Sequence, residues 1–131
     1  MKYYFLIFFS FLLFTACDNM SYAPLIGKWQ LKTVEKNGEV MPVDTVWYNF
    51  QSLSVFSLQI YKPQQDCYLE CYGVQTQDEK LMTVKILLDL DEVIKQSDWR
   101  NTERKFTIEH LNRKRLSLLS EEGYLYSFVK F

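Results

Sequence analysis

Few residues of this chain are of the types that carry out catalysis. The sequence contains one histidine, His110, and three cysteines. Alternation of apolar and polar residues places His110 beside Ile108 on the apolar face of a strand, where a histidine is usually a core or rim residue with its polar atoms satisfied. No second histidine, Cys-x-x-Cys pair, Gly-x-Ser-x-Gly motif or glycine-rich phosphate loop occurs in the sequence. The sequence therefore predicts a protein that is not an enzyme and has no metal or other cofactor.

Two of the cysteines, Cys67 and Cys71, lie four residues apart in a strand-like segment. Four residues of strand span about 13 Å, whereas a disulfide needs Cα atoms within about 7 Å of each other. We therefore expect two small buried hydrophobic residues, with a disulfide as the alternative if the strand is bulged or bent there. Pairing of either thiol with His110, as a base or a metal site, is the less favoured alternative.

The third cysteine ends a hydrophobic N-terminal segment. Lys2 precedes an uncharged and almost wholly apolar run, which has the length of a signal-peptide core and falls short of the roughly 20 residues of a membrane span. The residues before Cys17 read Leu-Phe-Thr-Ala, with Phe14 where leucine is usual, and resemble the lipobox of bacterial lipoproteins. The resemblance implies cleavage before Cys17 and attachment of lipid, palmitate included, to its thiol.

This segment sets the expected organisation of the chain. Residues 1–16 are predicted to be the lipoprotein signal peptide, 17–25 a tether, and 26–131 one domain. An ordinary signal peptide cleaved nearby, with Cys17 incidental, and an uncleaved anchor are the alternatives. A lipidated chain would have the membrane as its partner, and we expect it in the cell envelope, at the outer membrane of a Gram-negative bacterium.

Composition narrows the fold and the partners. A mature chain of about 115 residues can bury one core without help from metals. The whole chain has 15 basic and 16 acidic residues, and their interspersion argues against nucleic acid, which requires a basic stripe. Asp89, Asp91 and Glu92 cluster without the spacing of a calcium loop, so a solvated charged turn is expected. Aromatic residues make up 17% of the chain, as is typical of β-structure.

From Ile26 onward the side chains alternate as in β-strands. Trp29, Leu31 and Thr33 share one face of the first strand, and Asn37-Gly38 is a strong signal for a hairpin turn. A second segment follows, 39–50, interrupted at Pro42 as at an edge or a bulge. Further strands are predicted at 53–61, 67–75, 81–90 (with Met82, Val84, Ile86, Leu88 and Leu90 on one face), 105–110, 116–118 and 124–131, and a short helix capped by Asp91 within 91–103.

About eight short strands with short connections predict an antiparallel meander. At that number of strands a meander can close on itself and remove its exposed edges. The expected fold is therefore all-β, an antiparallel eight-stranded up-and-down barrel, with room for packed side chains or one small ligand. A β-sandwich is the competing architecture.

The first strand carries a family resemblance. Gly27-Lys28-Trp29 resembles the Gly-x-Trp opening of the lipocalin superfamily, and the phrase that runs from residue 106 to 131 is similar to lipocalin-like lipoproteins of Bacteroidetes. In that family the tryptophan plugs one barrel end beneath a basic residue of the last strands. The resemblance implies a barrel-end motif of Gly27, Trp29 and Arg115, with Arg113 as the other basic candidate, held by a cation–π contact. The Thr-Asp-Tyr motif and long C-terminal helix of typical lipocalins do not occur in the sequence.

Three aromatic residues, Trp47, Tyr48 and Trp99, lie in or beside the least regular segments. At a barrel mouth such residues can bind an apolar or sugar ligand, and the alternative is that they cover the barrel ends. Two functions follow: a membrane-anchored lipoprotein whose barrel binds a small apolar ligand, or a structural or interaction lipoprotein with an unspecified envelope partner. The second predicts a packed interior, filled by Phe56, Leu58, Ile86, Ile108 and Leu118.

Overall fold

The computed structural model describes residues 25–88 and 90–131. The predicted signal peptide, Cys17 and all but the last residue of the predicted tether lie outside these residues, as does Asp89. The strands are β1 (Gly27–Lys36), β2 (Glu39–Pro42), β3 (Val46–Phe50), β4 (Val55–Lys62), β5 (Cys67–Asp78), β6 (Leu81–Ile86), β7 (Glu103–Leu111), β8 (Arg115–Ser120) and β9 (Leu125–Lys130), and helix α1 (Leu90–Gln96) connects β6 to β7. Within the described ranges, no helix is both long and apolar enough to span a membrane.

The strands form one antiparallel sheet that closes on itself. Each strand from β3 to β8 pairs with the next, and β9 pairs with β1. The second half of β1 pairs with β2 and its first half with β3, so β2 and β3 together occupy one of eight positions around the barrel. The interruption predicted at Pro42 is the boundary between them. The eight-stranded barrel is confirmed, and the closing β1–β9 pair rules out an open sandwich.

The turns follow the local sequence. Asn37 and Gly38 have φ values of 54° and 81°, as a two-residue turn between antiparallel strands requires. Helix α1 begins at Leu90, so Asp91 lies in its first turn, where an acidic side chain favours the helix dipole. The prediction that Asp91 caps the helix was therefore wrong. Strand β6 also ends earlier than predicted, at Ile86, and Leu88 is exposed rather than on the buried face.

Two β-bulges shift the predicted faces. In β1 the register with β9 slips between Leu31 and Thr33, so Val34 is buried and Thr33 only half-buried. In β7 the register with β8 slips between Ile108 and His110. An extra residue in one strand reverses the faces of the residues after it. His110 is consequently exposed, with Nε2 3.1 Å from Asn112 Nδ2, so the prediction that it lies on the apolar face beside Ile108 was wrong.

The two described cysteines differ in environment. Cys71 is buried in the core, as predicted, whereas Cys67 is exposed at the start of β5, contrary to prediction. No disulfide joins Cys67 and Cys71. Strand β5 pairs with β4 without a register shift from Cys67 to Val74, so the two cysteines stay separated along the strand. The four-residue spacing predicted this separation and hence the absence of a disulfide between them.

Candidate ligand-binding site

The two ends of the barrel are built from different connections. One end holds the start of β1, the end of β9 and the β3–β4 and β5–β6 connections. The other end holds the β1–β2 and β8–β9 turns and the long β6–β7 connection with α1. Because neighbouring strands are antiparallel, every second connection falls at the same end, and the two ends can have separate roles.

Trp29 closes the first end. Its ring is fully buried, and its Nε1 donates a hydrogen bond to Leu25 O at 2.8 Å. Lys130 Nζ lies 4.5 Å from the centre of the ring and donates to Ile26 O at 2.6 Å. Gly27 has a φ of 135°, and a Cβ there would overlap the end of the Lys130 side chain. The end is therefore sealed by an indole beneath an ammonium group.

The basic residue of this barrel end was assigned wrongly from the sequence. Arg115 is exposed and pairs with Val129 across β8 and β9, and Arg113 is exposed in the turn before it. Lys130 follows Val129, so alternation turns its side chain the opposite way from that of Val129. The prediction for Gly27 and Trp29 placed the tryptophan correctly, whereas Arg115 faces away from it. Leu25, counted as the last residue of the tether, is fully buried and belongs to the folded domain.

A cavity of about 440 Å³ opens at the second end. This volume lies within the range of small-molecule sites, roughly 300–1,000 Å³. Its aliphatic and methionine side chains come from β1, β2, the β2–β3 connection and β3, and its polar and aromatic side chains come from β3, the β6–β7 connection, β7, the β8–β9 turn and β9. The lining comprises Leu31, Val34, Met41, Val43, Val46, Tyr48, Ser97, Asp98, Trp99, Arg100, Arg104, Glu122, Tyr124 and Tyr126.

The barrel interior is thus packed at one end and open at the other. The side chains expected to fill a packed barrel are buried, among them Phe56, Leu58, Ile86 and Leu118, and Ile108 packs against them half-buried. None of these residues is part of the lining of the cavity at the second end.

Trp99 is positioned by the connection that carries α1. Val93 of the helix is fully buried and attaches the connection to the barrel core. Ser97 Oγ donates to Val93 O at 2.6 Å and accepts from the backbone N–H of Trp99 at 3.1 Å. The side chain of Trp99 is buried with its ring centre 6.4 Å from that of Tyr48. A short helix and one serine therefore direct an indole into the open end of the barrel.

Arg104 is the largely buried charge of the cavity. Its side chain is 9% exposed, and its guanidinium carbon lies 5.2 Å, 4.9 Å and 5.0 Å from the ring centres of Trp99, Phe106 and Tyr126. Nη2 donates to the Tyr126 hydroxyl at 2.7 Å, and Nη1 lies 3.3 Å from Asp98 Oδ1. The Tyr126 hydroxyl in turn donates to Asp98 Oδ2. The arginine is thereby held by aromatic faces and by one carboxylate.

The environment of the cavity alters the ionisation of these groups. Burial raises the pKa of the Tyr48 hydroxyl from 10.0 to about 12, against a smaller opposing effect of Arg104. Burial likewise raises the pKa of Tyr126. Burial opposes the charge on Arg104, but Tyr48 and Asp98 outweigh it and hold the pKa of the guanidinium above its ordinary value. At neutral pH the cavity therefore presents neutral phenols and a charged arginine.

Comparison with known proteins identifies the family. A lipocalin-like domain model matches residues 12–131. The chain belongs to the lipocalin-like domain family. Among solved structures, a lipocalin-like protein from Bacteroides uniformis superposes with a TM-score of 0.75 at 26% identity, covering 83% of this chain and 100% of that one. An uncharacterised protein from Bacteroides eggerthii gives a TM-score of 0.70 at 25% identity, covering 81% and 98%. No curated protein matches the chain.

The lipocalin-like domain brings together two of the three aromatic residues predicted to bind a ligand. Tyr48 and Trp99 both line the cavity. Trp47 follows Val46 and precedes Tyr48 on β3, so its side chain points outward, where it contacts Tyr68 and Phe131 at ring-centre distances of 5.8 Å and 6.0 Å. Trp47 therefore lies on the outer face of the barrel, buried by its neighbours there, and does not line the cavity.

Sequence reasoning missed Arg104, Asp98 and Tyr126. A signal for two of them was present in the alternation. Arg104 stands two residues before Phe106, and Tyr126 two before Phe128, so both share the inward face of their strands. A charged residue at an inward position of a barrel strand is rare unless it is paired. Asp98 lies in an irregular segment, and no periodic pattern predicts its position.

Proposed function

We propose that this lipocalin-like domain binds a small apolar molecule in the cavity at its open end. The cavity itself carries the proposal, because Leu31, Val34 and Val46 offer it an apolar wall and a barrel of packed side chains would leave no such volume. Lipocalin-like domains are in general binding folds and not enzymes, and we propose binding without catalysis here. A structural or interaction role in the cell envelope is the alternative, and the cavity favours it less.

Binding can be tested with N-phenyl-1-naphthylamine, a neutral apolar dye whose fluorescence rises in apolar surroundings. We expect saturable binding to the wild-type chain, and a loss of affinity of roughly tenfold or more in Val34→Trp, because the indole would occupy the cavity. The matched control is Glu35→Trp, the next residue of β1, which is half-buried and does not line the cavity. Absence of saturable binding, or equal affinity in the two variants, would contradict the proposal.

We further propose that the chain is a lipoprotein that lipid on Cys17 anchors to the outer membrane. The support is the sequence alone: a short apolar run after Lys2 that ends at this cysteine. Expressed in a Gram-negative host, the wild-type chain should occur in the membrane fraction with the mass of an acylated Cys17 N-terminus. Cys17→Ser should lose both properties, whereas Cys67→Ser, which removes an exposed thiol, should keep them. Unchanged fractionation and mass of Cys17→Ser would refute lipidation.

A further inference from the structure

The guanidinium of Arg104, which lines the cavity, has N–H groups that are not used in hydrogen bonds to Asp98 or Tyr126. Arginine carries five N–H groups; the hydrogen bonds to Asp98 and Tyr126 use one on each terminal nitrogen, and the Tyr48 hydroxyl also interacts with the guanidinium. The rings of Trp99, Phe106 and Tyr126 lie against the same group. A planar guanidinium in such surroundings can take a further oxygen acceptor in its plane.

Among the charged residues that line the cavity, Arg104 is the one whose charge is least screened by solvent. Asp98, its ion-pair partner, has a side chain that is 50% exposed, against 9% for Arg104. The other two charged residues of the lining, Arg100 and Glu122, are exposed as well. Water screens exposed charges far more than buried ones. The electrostatic potential on the interior side of the pair is therefore positive, although the formal charges of the lining sum to zero.

A second donor lies beside this arginine. Trp99 is 1% exposed, and its Nε1 makes no hydrogen bond of good geometry among the described residues; the Tyr48 hydroxyl lies near enough for the indole N–H to lower the pKa of Tyr48. An indole N–H can only donate, and a buried donor without an acceptor costs free energy. Trp99 lies against both Arg104 and Tyr48, so an oxygen that approaches the guanidinium also comes near the indole and the Tyr48 hydroxyl. All three groups can donate.

We propose that the cavity selects an amphipathic carboxylate, a ligand whose anionic head is bound by Arg104 with help from the Trp99 N–H and whose apolar body lies along the wall of Leu31, Val34 and Val46. The inference rests on the proposed function, since it names the class of molecule that the cavity binds. A carboxylate fits better than a neutral oxygen because charge-assisted hydrogen bonds to a guanidinium are the stronger ones and form two at a time. Asp98 competes for the same guanidinium from its exposed side, and its charge weakens the ligand's binding.

The test compares two ligands of equal chain length, dodecanoate and dodecan-1-ol, as competitors of bound N-phenyl-1-naphthylamine. We expect the wild-type chain to bind dodecanoate more tightly than the alcohol. In Arg104→Met, affinity for dodecanoate should fall about 10-fold to 100-fold, the equivalent of one or two charge-assisted hydrogen bonds, and this fall should exceed by far any change in affinity for the dye or the alcohol. Trp99→Phe keeps an aromatic ring, removes the N–H, and should weaken dodecanoate about threefold to tenfold.

Asp98→Asn is the variant that should raise the affinity for dodecanoate instead of lowering it. Removal of the competing carboxylate should strengthen dodecanoate roughly threefold or more without a matching change for the alcohol. The three variants separate the outcomes even if Arg104→Met does not fold. Equal affinity of the wild-type chain for the acid and the alcohol would overturn selection of a carboxylate. So would parallel changes in the affinities for both ligands in Trp99→Phe and Asp98→Asn. In either case, saturable binding of the dye would still support the cavity as a binding site. Failure of the dye to bind would instead overturn the proposed function.

Discussion

Gly73→Ala is expected to lower the free energy of unfolding by about 3 kcal/mol, the upper part of the range for added core atoms. Gly73 lies on the inward face of β5, between Phe56 of β4 and Ile86 of β6. A Cβ there would overlap the carbonyl oxygen of Lys85 and would lie 2.9 Å from its carbon and 3.1 Å from Ile86 Cα. These are backbone atoms, which cannot rotate away as a side chain can. The strand pair must therefore separate at this point or stay strained.

Equilibrium denaturation by urea measures this loss, with Gly38→Ala as the control. Gly38 has open space around its Cβ position but a φ of 81°, so alanine there should cost only the strain of a left-handed conformation, about 1 kcal/mol. The same substitution at two glycines thus separates overlap from backbone strain. Equal losses at the two positions would show that β5 and β6 accommodate the methyl group and that the close approach is unimportant for stability.

The domain is expected to lose stability in alkaline solution because of Tyr48. Burial raises the pKa of its hydroxyl from 10.0 to about 12, so the folded state keeps a proton that the unfolded state releases. The stabilisation from this difference is complete below the unfolded-state pKa, and it is lost as the pH rises from the unfolded value towards the folded one. By the folded-state pKa the loss from Tyr48 alone amounts to roughly 2 kcal/mol.

Denaturation at a series of pH values, together with the absorbance of tyrosinate, tests this linkage. Tyr48→Phe should show a smaller alkaline loss than the wild-type chain, and the part that persists should come largely from Tyr126, whose pKa is also raised by burial. Tyr68→Phe is the control, because this ring is exposed on the outer surface, and it should retain the wild-type loss. An alkaline loss unchanged by Tyr48→Phe would contradict the burial of a neutral Tyr48 hydroxyl.

Much of the barrel was predictable because its signals are local. The alternation from Ile26 onward follows from the two-residue period of a strand, which each segment shows by itself. Asn37 and Gly38 adopt positive φ for reasons internal to those two residues. The position of Trp29 in the first strand agrees with the resemblance to lipocalins, and the tryptophan is buried at one barrel end.

The errors arose where a residue's environment depends on a distant strand. Because of the bulge in β1 opposite Ser127 and Phe128, Val34 is buried in place of Thr33. Because of the bulge in β7, His110 faces the solvent. Neither bulge can be recognised from the residues of its own strand, because a register shift depends on how two strands pair. In the same way, whether Lys130 or Arg115 covers Trp29 depends on the final alternation of β9 beside β8.

The sequence by itself determined the fold class and the turn at Asn37-Gly38, and it supplied the aromatic residues from which the open end is built. Only the tertiary structure decided that Trp47 faces outward, that Trp99 meets Tyr48, and that Arg104 lies against three rings with Asp98 on its exposed side. The physical reason is that strand periodicity is set by neighbours in the chain. A cavity, by contrast, is the space left where side chains from β1, β3, β7 and β9 and the α1 connection fail to meet, and that depends on all of them together.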